Sequence, residues 1–192
     1  MTARSVTNFV GGSTDMRLSR DEWALKLALL TAQRTTCCRR AVGCVLLNAR
    51  GHVLSTGYNG VAAGLPHCNE ITDEVVNPAL DRGDGTYRVA EHWERPMIKV
   101  HGHACEGAKA PSGTNLDGCQ AIHAEQNALL QCRDMYAIHT AYVTASPCMT
   151  CCKLLLNTSC QRIVYVEEYP HSAAKDLWTG AGRAWEQLLV EL

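Results

Sequence analysis

Apolar positions along the chain change period several times, and each change marks an element. Ser19, Arg20, Asp21 and Glu22 have capping-box spacing, and Trp23, Leu27 and Leu30 follow at helical intervals, which predicts a helix running to about Arg34. The short apolar stretch 41–47 is bounded by Arg50-Gly51 and followed by Val53 and Leu54 within 52–56. Together they read as a strand hairpin, closed by the turn chemistry of Gly57-Tyr58-Asn59-Gly60. Residues 120–132 carry Ile122, Ala124, Ala128, Leu129 and Leu130 in the pattern of a buried helix, and 140–145 reads as a strand. A helix is expected over 147–157, with Ser146 as N-cap and Pro147 as its first residue. A strand over 162–166 and a helix around 173–178 lead into Gly180-Ala181-Gly182, and 183–192 fits strand and helix equally. The order β-β-α-β-α-β-α predicts an α/β fold, a mixed sheet covered by helices.

The 192 residues suit one domain. Residues 1–18 mix Gly, Ser, Thr and charge without periodicity and read as a flexible N-terminal arm, leaving 19–192 as a single domain. Between Cys68 and Cys119 lies a stretch rich in Gly, Pro, His and charge. This insertion, at about 69–118, far exceeds the ~12–15 residues usual for an unstructured loop, so something must tie it down.

Apolar residues are 46% and charged residues 19%, and no apolar run approaches a membrane span, so disordered, coiled-coil and membrane classes drop out. The start is too polar for a secretory signal, and the chain reads as soluble and cytoplasmic. With 18 basic and 19 acidic residues there is no broad phosphate-backbone footprint, which favours a small substrate over nucleic acid. Eleven cysteines, an odd number in a chain that reads as intracellular, argue for metal ligands and buried thiols rather than a disulfide framework.

Those cysteines carry the chemistry. Cys148 and Cys151 are three apart, so both thiols share one face of a helix start, where the helix dipole favours thiolates. With His123 they make three zinc ligands, and one imidazole plus two thiolates leave a fourth tetrahedral position open, as in a catalytic zinc. Glu125, two residues from His123, does not share its helix face and is no natural fourth ligand, but its side chain reaches the vicinity of a bound water. Zinc lowers the pKa of such a water towards ~7, and a carboxylate beside it takes the released proton. H-x-E followed by P-C-x-x-C is the signature of zinc deaminases. Taken singly, a C-x-x-C is equally a redox pair or half a structural zinc site, and Cys152, four residues after Cys148, competes with Cys151.

Four segments in order resemble the motifs of deoxycytidylate (dCMP) deaminases: Thr35-Thr36-Cys37-Cys38-Arg39-Arg40-Ala41-Val42-Gly43, Ser55-Thr56-Gly57-Tyr58-Asn59-Gly60, His123-Ala124-Glu125-Gln126-Asn127-Ala128, and Ser146-Pro147-Cys148-Met149-Thr150-Cys151. The resemblance spans about 20–169 with the insertion excepted. It implies a cytidine-deaminase-like three-layer α/β/α sandwich with a mixed central sheet. The implied reaction is zinc-dependent hydrolysis of dCMP to dUMP and ammonia, feeding thymidylate synthesis, with Glu125 as proton carrier. Asn59 would bind the sugar, Tyr169 would stand near the substrate, and backbone groups at Val42, Ala145 and Ser146 would line the base pocket. The resemblance further implies a homo-oligomer, often a hexamer, that dCTP activates and dTTP inhibits with magnesium.

Some phage and bacterial members carry a second, structural zinc, and Cys37 and Cys68 match two of its ligand positions. Ala121 stands where some members have a ligating glutamate, and Cys105 and Cys119 can replace it, with His67, His101, His103 and Cys38 as competitors and a set of free buried thiols as the alternative. Val61-Ala62 departs from the x-Pro step common after the family's Tyr-Asn-Gly. Two other functions stay open: a zinc deaminase acting on a modified pyrimidine nucleotide, a nucleoside or a polynucleotide base, and a non-enzymatic zinc module.

Overall fold

A computed structural model describes residues 17–65, 67–68, 118–169 and 172–190, with Cys105, Gly107, Ala110 and Thr114 between them. The expected N-terminal arm, but for Arg17 and Leu18, and most of the 69–118 insertion lie outside the described residues.

The elements are α1 (Arg20–Ala32), β1 (Gly43–Asn48), β2 (Val53–Tyr58), β3 (Gly60–Val61), β4 (Ala121–Ile122), α2 (Ala124–Gln131), β5 (Ile138–Ala145), α3 (Met149–Leu156), β6 (Arg162–Glu167), α4 (Ser172–Gly180) and β7 (Ala184–Gln187). Five strands form one sheet in the order β2-β1-β5-β6-β7. β1 runs antiparallel to both β2 and β5, whereas β5, β6 and β7 are parallel and joined through α3 and α4. The sheet is therefore mixed.

Its two faces are covered differently. Val45 and Leu47 of β1 pack with Ala24, Leu25 and Ala28 of α1, while the alternate residues Cys44 and Leu46 pack with Ala124 and Ala128 of α2, Leu155 of α3 and Trp178 of α4. That is a three-layer α/β/α sandwich, and it explains why β1 is buried along nearly its whole length. Among the described residues no helix is long and apolar enough to cross a membrane.

Three local expectations are revised. On α1 the capping box is present, with Ser19 N–H donating to Glu22 Oε2 at 2.9 Å. The buried stripe of α1 is Ala24, Leu25, Ala28 and Ala32, with Leu27 partly buried beside it, while Trp23 is 40% exposed and Leu30 60%. A Cβ on Gly43 would stand 2.0 Å from the Ala28 carbonyl oxygen, so helix and strand approach most closely at this glycine–alanine contact. Gly57 and Tyr58 belong to β2, and Gly60-Val61 pairs with Ala121-Ile122 instead of closing a turn. The helix expected from 120 starts at Ala124, because 121–122 is that pairing strand. Ser146 does not cap α3; Cys148 does. Ser146 still follows the β5–β6 register, its N–H donating to the Glu167 carbonyl at 2.8 Å and its Oγ accepting from Tyr169 N–H at 2.7 Å. The unassigned 183–192 segment contains β7, held by the Trp178 indole N–H on the Ala184 carbonyl at 2.9 Å.

Candidate metal centre and substrate cleft

Two helix starts meet at one point. α2 begins immediately after β4, with His123 as its N-cap residue and the His123 N–H donating to Gln126 Oε1 at 3.0 Å. α2 is pressed onto β2 at Gly57, where a Cβ would lie 2.2 Å from the Ala124 carbonyl oxygen and 2.3 Å from the Ala128 nitrogen. Ser55 Oγ donates to the Ala128 carbonyl and Asn127 Nδ2 to the Tyr58 carbonyl, both at 2.8 Å, which fixes the helix along the strand. α3 begins after β5, with Cys148 as cap and Cys151 in the first turn.

His123 Nδ1 stands 3.5 Å from both Cys148 Sγ and Cys151 Sγ, and the three donor atoms lie within 4.8 Å of one another. Zinc–nitrogen and zinc–sulfur bonds of about 2.0 and 2.3 Å at tetrahedral angles place nitrogen and sulfur about 3.6 Å apart. The donor set therefore fits a zinc ion in both chemistry and spacing. Hydrogen bonds from Cys151 and His123 pull the Cys148 thiol down to about 4, against burial, while its partner Cys151 is pushed well above the thiol range. A thiolate beside a second sulfur and an imidazole is a site prepared for a cation.

Glu125, in the first turn of α2, is 4% exposed. Burial pushes its carboxyl up to about 7, with His123 acting in the opposite direction. A carboxyl poised there takes and returns a proton near neutral pH at little cost. Cys152, the competitor of Cys151, points into the apolar core with its Sγ 3.9 Å from the Pro147 carbonyl.

His123, Glu125 and Cys148 open into a cleft that is continuous with solvent. Val42, Asn59, Ala145, Ser146 and Tyr169 line the same cleft, so the structure brings all the sequence-derived substrate positions together. Asn59 is held tightly: its Oδ1 accepts from Thr35 Oγ1 and Val42 N–H at 2.8 Å each, and its Nδ2 donates to the Arg40 carbonyl at 2.7 Å. One Nδ2 hydrogen remains for a ligand. Thr35, Asn127, Arg39 and Arg40 were given no individual roles by the sequence, although all four lie inside the motifs quoted above. The adjacent arginines were the readable signal, and both line the cleft.

Cys37, Cys68 and Cys105 form a buried group with Cys119 packed against it. Cys68 Sγ and Cys105 Sγ are 3.9 Å apart, near the roughly 3.8 Å of two thiolates on one tetrahedral zinc. Burial pushes the Cys68 and Cys119 thiols up. Among the described residues, convergence of three donor atoms within 4.8 Å occurs at His123, Cys148 and Cys151, so the four-cysteine group is looser. Of its competitors, Cys38 and His67 are exposed, and His101 and His103 lie outside the described residues.

The family model of the cytidine and deoxycytidylate deaminase zinc-binding region matches residues 18–167. The chain is 32% identical over 157 residues to a deoxycytidylate deaminase of Saccharomyces cerevisiae, covering 80% of this chain and 39% of that protein. It is 32% identical over 152 residues to the deoxycytidylate deaminase of Mycobacterium phage D29, covering 77% of this chain and 94% of the phage protein. The chain thus spans under two fifths of the yeast relative and nearly all of the phage one. Among solved structures, the dCMP deaminase of cyanophage S-TIM5 in complex with dCMP and dUMP superposes with a TM-score of 0.60 at 22% identity, over 91% of this chain and 100% of that one, which shows a shared fold.

Proposed function

The chain belongs to the cytidine and deoxycytidylate deaminase family, and on that premise we propose that it hydrolyses dCMP to dUMP and ammonia. The observation that carries the reading is the convergence of His123, Cys148 and Cys151 beside a buried carboxyl at the foot of an open cleft.

A zinc ion held by His123, Cys148 and Cys151 supplies Lewis acidity and a water acidified towards about pH 7. Glu125 is the proton carrier. Its carboxylate accepts a proton from the attacking water, delivers it to ring nitrogen 3 of cytosine, and later protonates the departing amine, so one group serves as base and then as acid. The water oxygen first bonds to carbon 4; Glu125 then takes the remaining proton of the added hydroxyl and passes it to the amine, and the carbon–nitrogen bond breaks as the carbonyl forms, which balances as dCMP plus water giving dUMP plus ammonia. Asn59 offers its remaining Nδ2 hydrogen to the sugar, and Val42 with the 145–146 backbone shapes the base pocket. Tyr169 lines the same cleft, near the substrate.

Cys37, Cys68, Cys105 and Cys119 hold a second, structural zinc that ties the insertion to the cleft wall. Cys37 and Cys119 themselves line the cleft, and the Cys68 N–H donates to the Thr36 carbonyl at 3.2 Å. The family reading also carries a cytoplasmic homo-oligomer activated by dCTP and inhibited by dTTP with magnesium. Initial rates at low dCMP with each nucleotide, and light scattering for mass, test those properties.

The deciding experiment follows ammonia release by zinc-loaded protein from dCMP, 5-hydroxymethyl-dCMP, dCTP, deoxycytidine, cytosine and single-stranded DNA. dCMP is expected to be turned over fastest. Absence of dCMP turnover removes the substrate assignment, and a faster rate on the hydroxymethyl nucleotide moves it to modified pyrimidines.

A further inference from the structure

Asn59 keeps one amide hydrogen for a sugar, and how well it serves depends on what holds the rest of the side chain still. Two of its fastenings run to one stretch of chain: Oδ1 accepts from Val42 N–H and Nδ2 donates to the Arg40 carbonyl. These decide which way round the amide lies, because a backbone N–H only donates and a carbonyl only accepts. They leave its place in space tied to 40–42, an irregular and partly exposed link between α1 and β1.

The third fastening comes from a different element. Thr35 lies just past α1, its N–H donating to the Ala32 carbonyl at 3.0 Å, and α1 is seated on the sheet at the Ala28–Gly43 contact. Thr35 Oγ1 stands 2.8 Å from Asn59 Oδ1 and 2.8 Å from the Asn59 carbonyl oxygen, and it accepts the Cys37 N–H at 3.2 Å. Both Asn59 atoms are acceptors, so the single hydroxyl hydrogen is directed at Asn59 and shared between its side chain and its main chain. Thr35 is half-buried and stands behind the cleft wall rather than in it. Whatever it contributes to the reaction therefore passes through Asn59.

A group that recognises a ligand must be held to within about 0.5 Å by bonds of its own, preferably to regular elements. The sugar of dCMP presents one free hydroxyl, at carbon 3′, for the remaining Asn59 N–H. We propose that Thr35 is a positioning residue for sugar recognition: its hydroxyl anchors Asn59 to the end of α1, so that the amide meets the 3′-hydroxyl of the nucleotide already aligned. The inference rests on the deaminase reading and names a residue behind that site.

Its test removes the protein hydroxyl and the substrate hydroxyl separately and together. kcat/KM is measured for dCMP and for 2′,3′-dideoxycytidine 5′-monophosphate in the zinc-loaded parent, Thr35→Val and Thr35→Ser, with zinc content alongside. The parent is expected to prefer dCMP. Thr35→Val should lose roughly five- to tenfold on dCMP, chiefly through KM, and little on the dideoxy nucleotide, while Thr35→Ser recovers most of the loss. Where the valine protein does not fold, Thr35→Ala deletes the same hydroxyl and takes its place. An equal loss on both nucleotides marks a structural role only and overturns the proposal, as does a serine variant no better than valine. Equal rates on the two nucleotides in the parent also overturn it. Should the parent deaminate neither nucleotide, the deaminase reading fails on its own, and calorimetric binding of dUMP and 2′,3′-dideoxyuridine 5′-monophosphate decides. A preference for dUMP that Thr35→Val loses and Thr35→Ser keeps supports the anchor, and any other pattern overturns it.

Discussion

Glu125 sits where its charge is penalised. In the metal-free protein its carboxyl is raised from 4.5 to about 7 by burial, so the folded state binds a proton that the unfolded chain has released. The stability it contributes is full below about pH 4.5 and is lost as pH rises through about 7. A shift of that size corresponds to about 3 kcal/mol. Metal-free Glu125→Gln, which cannot ionise, is therefore expected to be more stable than the metal-free parent at pH 8, with the advantage vanishing near pH 4. Denaturant midpoints at the two pH values check this, and a variant no more stable than the parent at pH 8 contradicts it. At this scale the sequence was highly legible: His123, Glu125, Cys148 and Cys151 could be picked out because spacing on a helix start is a local property. Which imidazole nitrogen faces the sulfurs, and how thoroughly Asn59 is bonded by Thr35, Val42 and Arg40, depend on segments distant in sequence and could not be read in advance.

Helix placement depends on glycines in the facing strands. Gly43 lies against Ala28 and Gly57 against Ala124 and Ala128, so small residues meet the sheet at the points of closest approach. Leu130 on α2, which the sequence placed in the pattern of a buried helix, is 76% exposed. The glycine–alanine complementarity was visible in the sequence but became meaningful only once helix and strand were known to be neighbours. Gly57→Ala should push α2 off β2 and displace His123 and Glu125 together. We expect a loss of about 1–3 kcal/mol from overpacking, weaker zinc binding and a lower kcat. Melting curves and a chelator competition measure these effects, and unchanged zinc affinity would contradict the link between the glycine contact and the metal site.

Across the whole molecule, a mixed sheet covered by helices was readable from element order because strands alternating with helices leave few ways to cover a sheet, while the three-layer sandwich followed from the family resemblance. The short β3–β4 pair escaped because two residues carry no period, and β7 escaped because its pattern is mixed; its position depends on Trp178 and on the parallel register with β6. The expectation of a tie on the long insertion came from its length alone. At the described positions, Gly107 N–H donates to the Gly118 carbonyl at 2.8 Å, and Gly107 leaves no room for a Cβ beside Cys119, which brings the end of the insertion to the cysteine group. Two zinc ions per chain are expected by elemental analysis, falling to one in Cys68→Ser/Cys105→Ser, with a lower melting temperature. One zinc in the parent contradicts the structural site.

The central claim is that a proton-carrying carboxyl works beside an ion held by three protein ligands. Ammonia release from dCMP, measured with zinc content on the parent and on Glu125→Gln, tests it most directly. The expected result is equal zinc in both proteins and a rate at least about a hundredfold lower in the variant. Deamination by the zinc-replete variant at the parental rate would contradict the account.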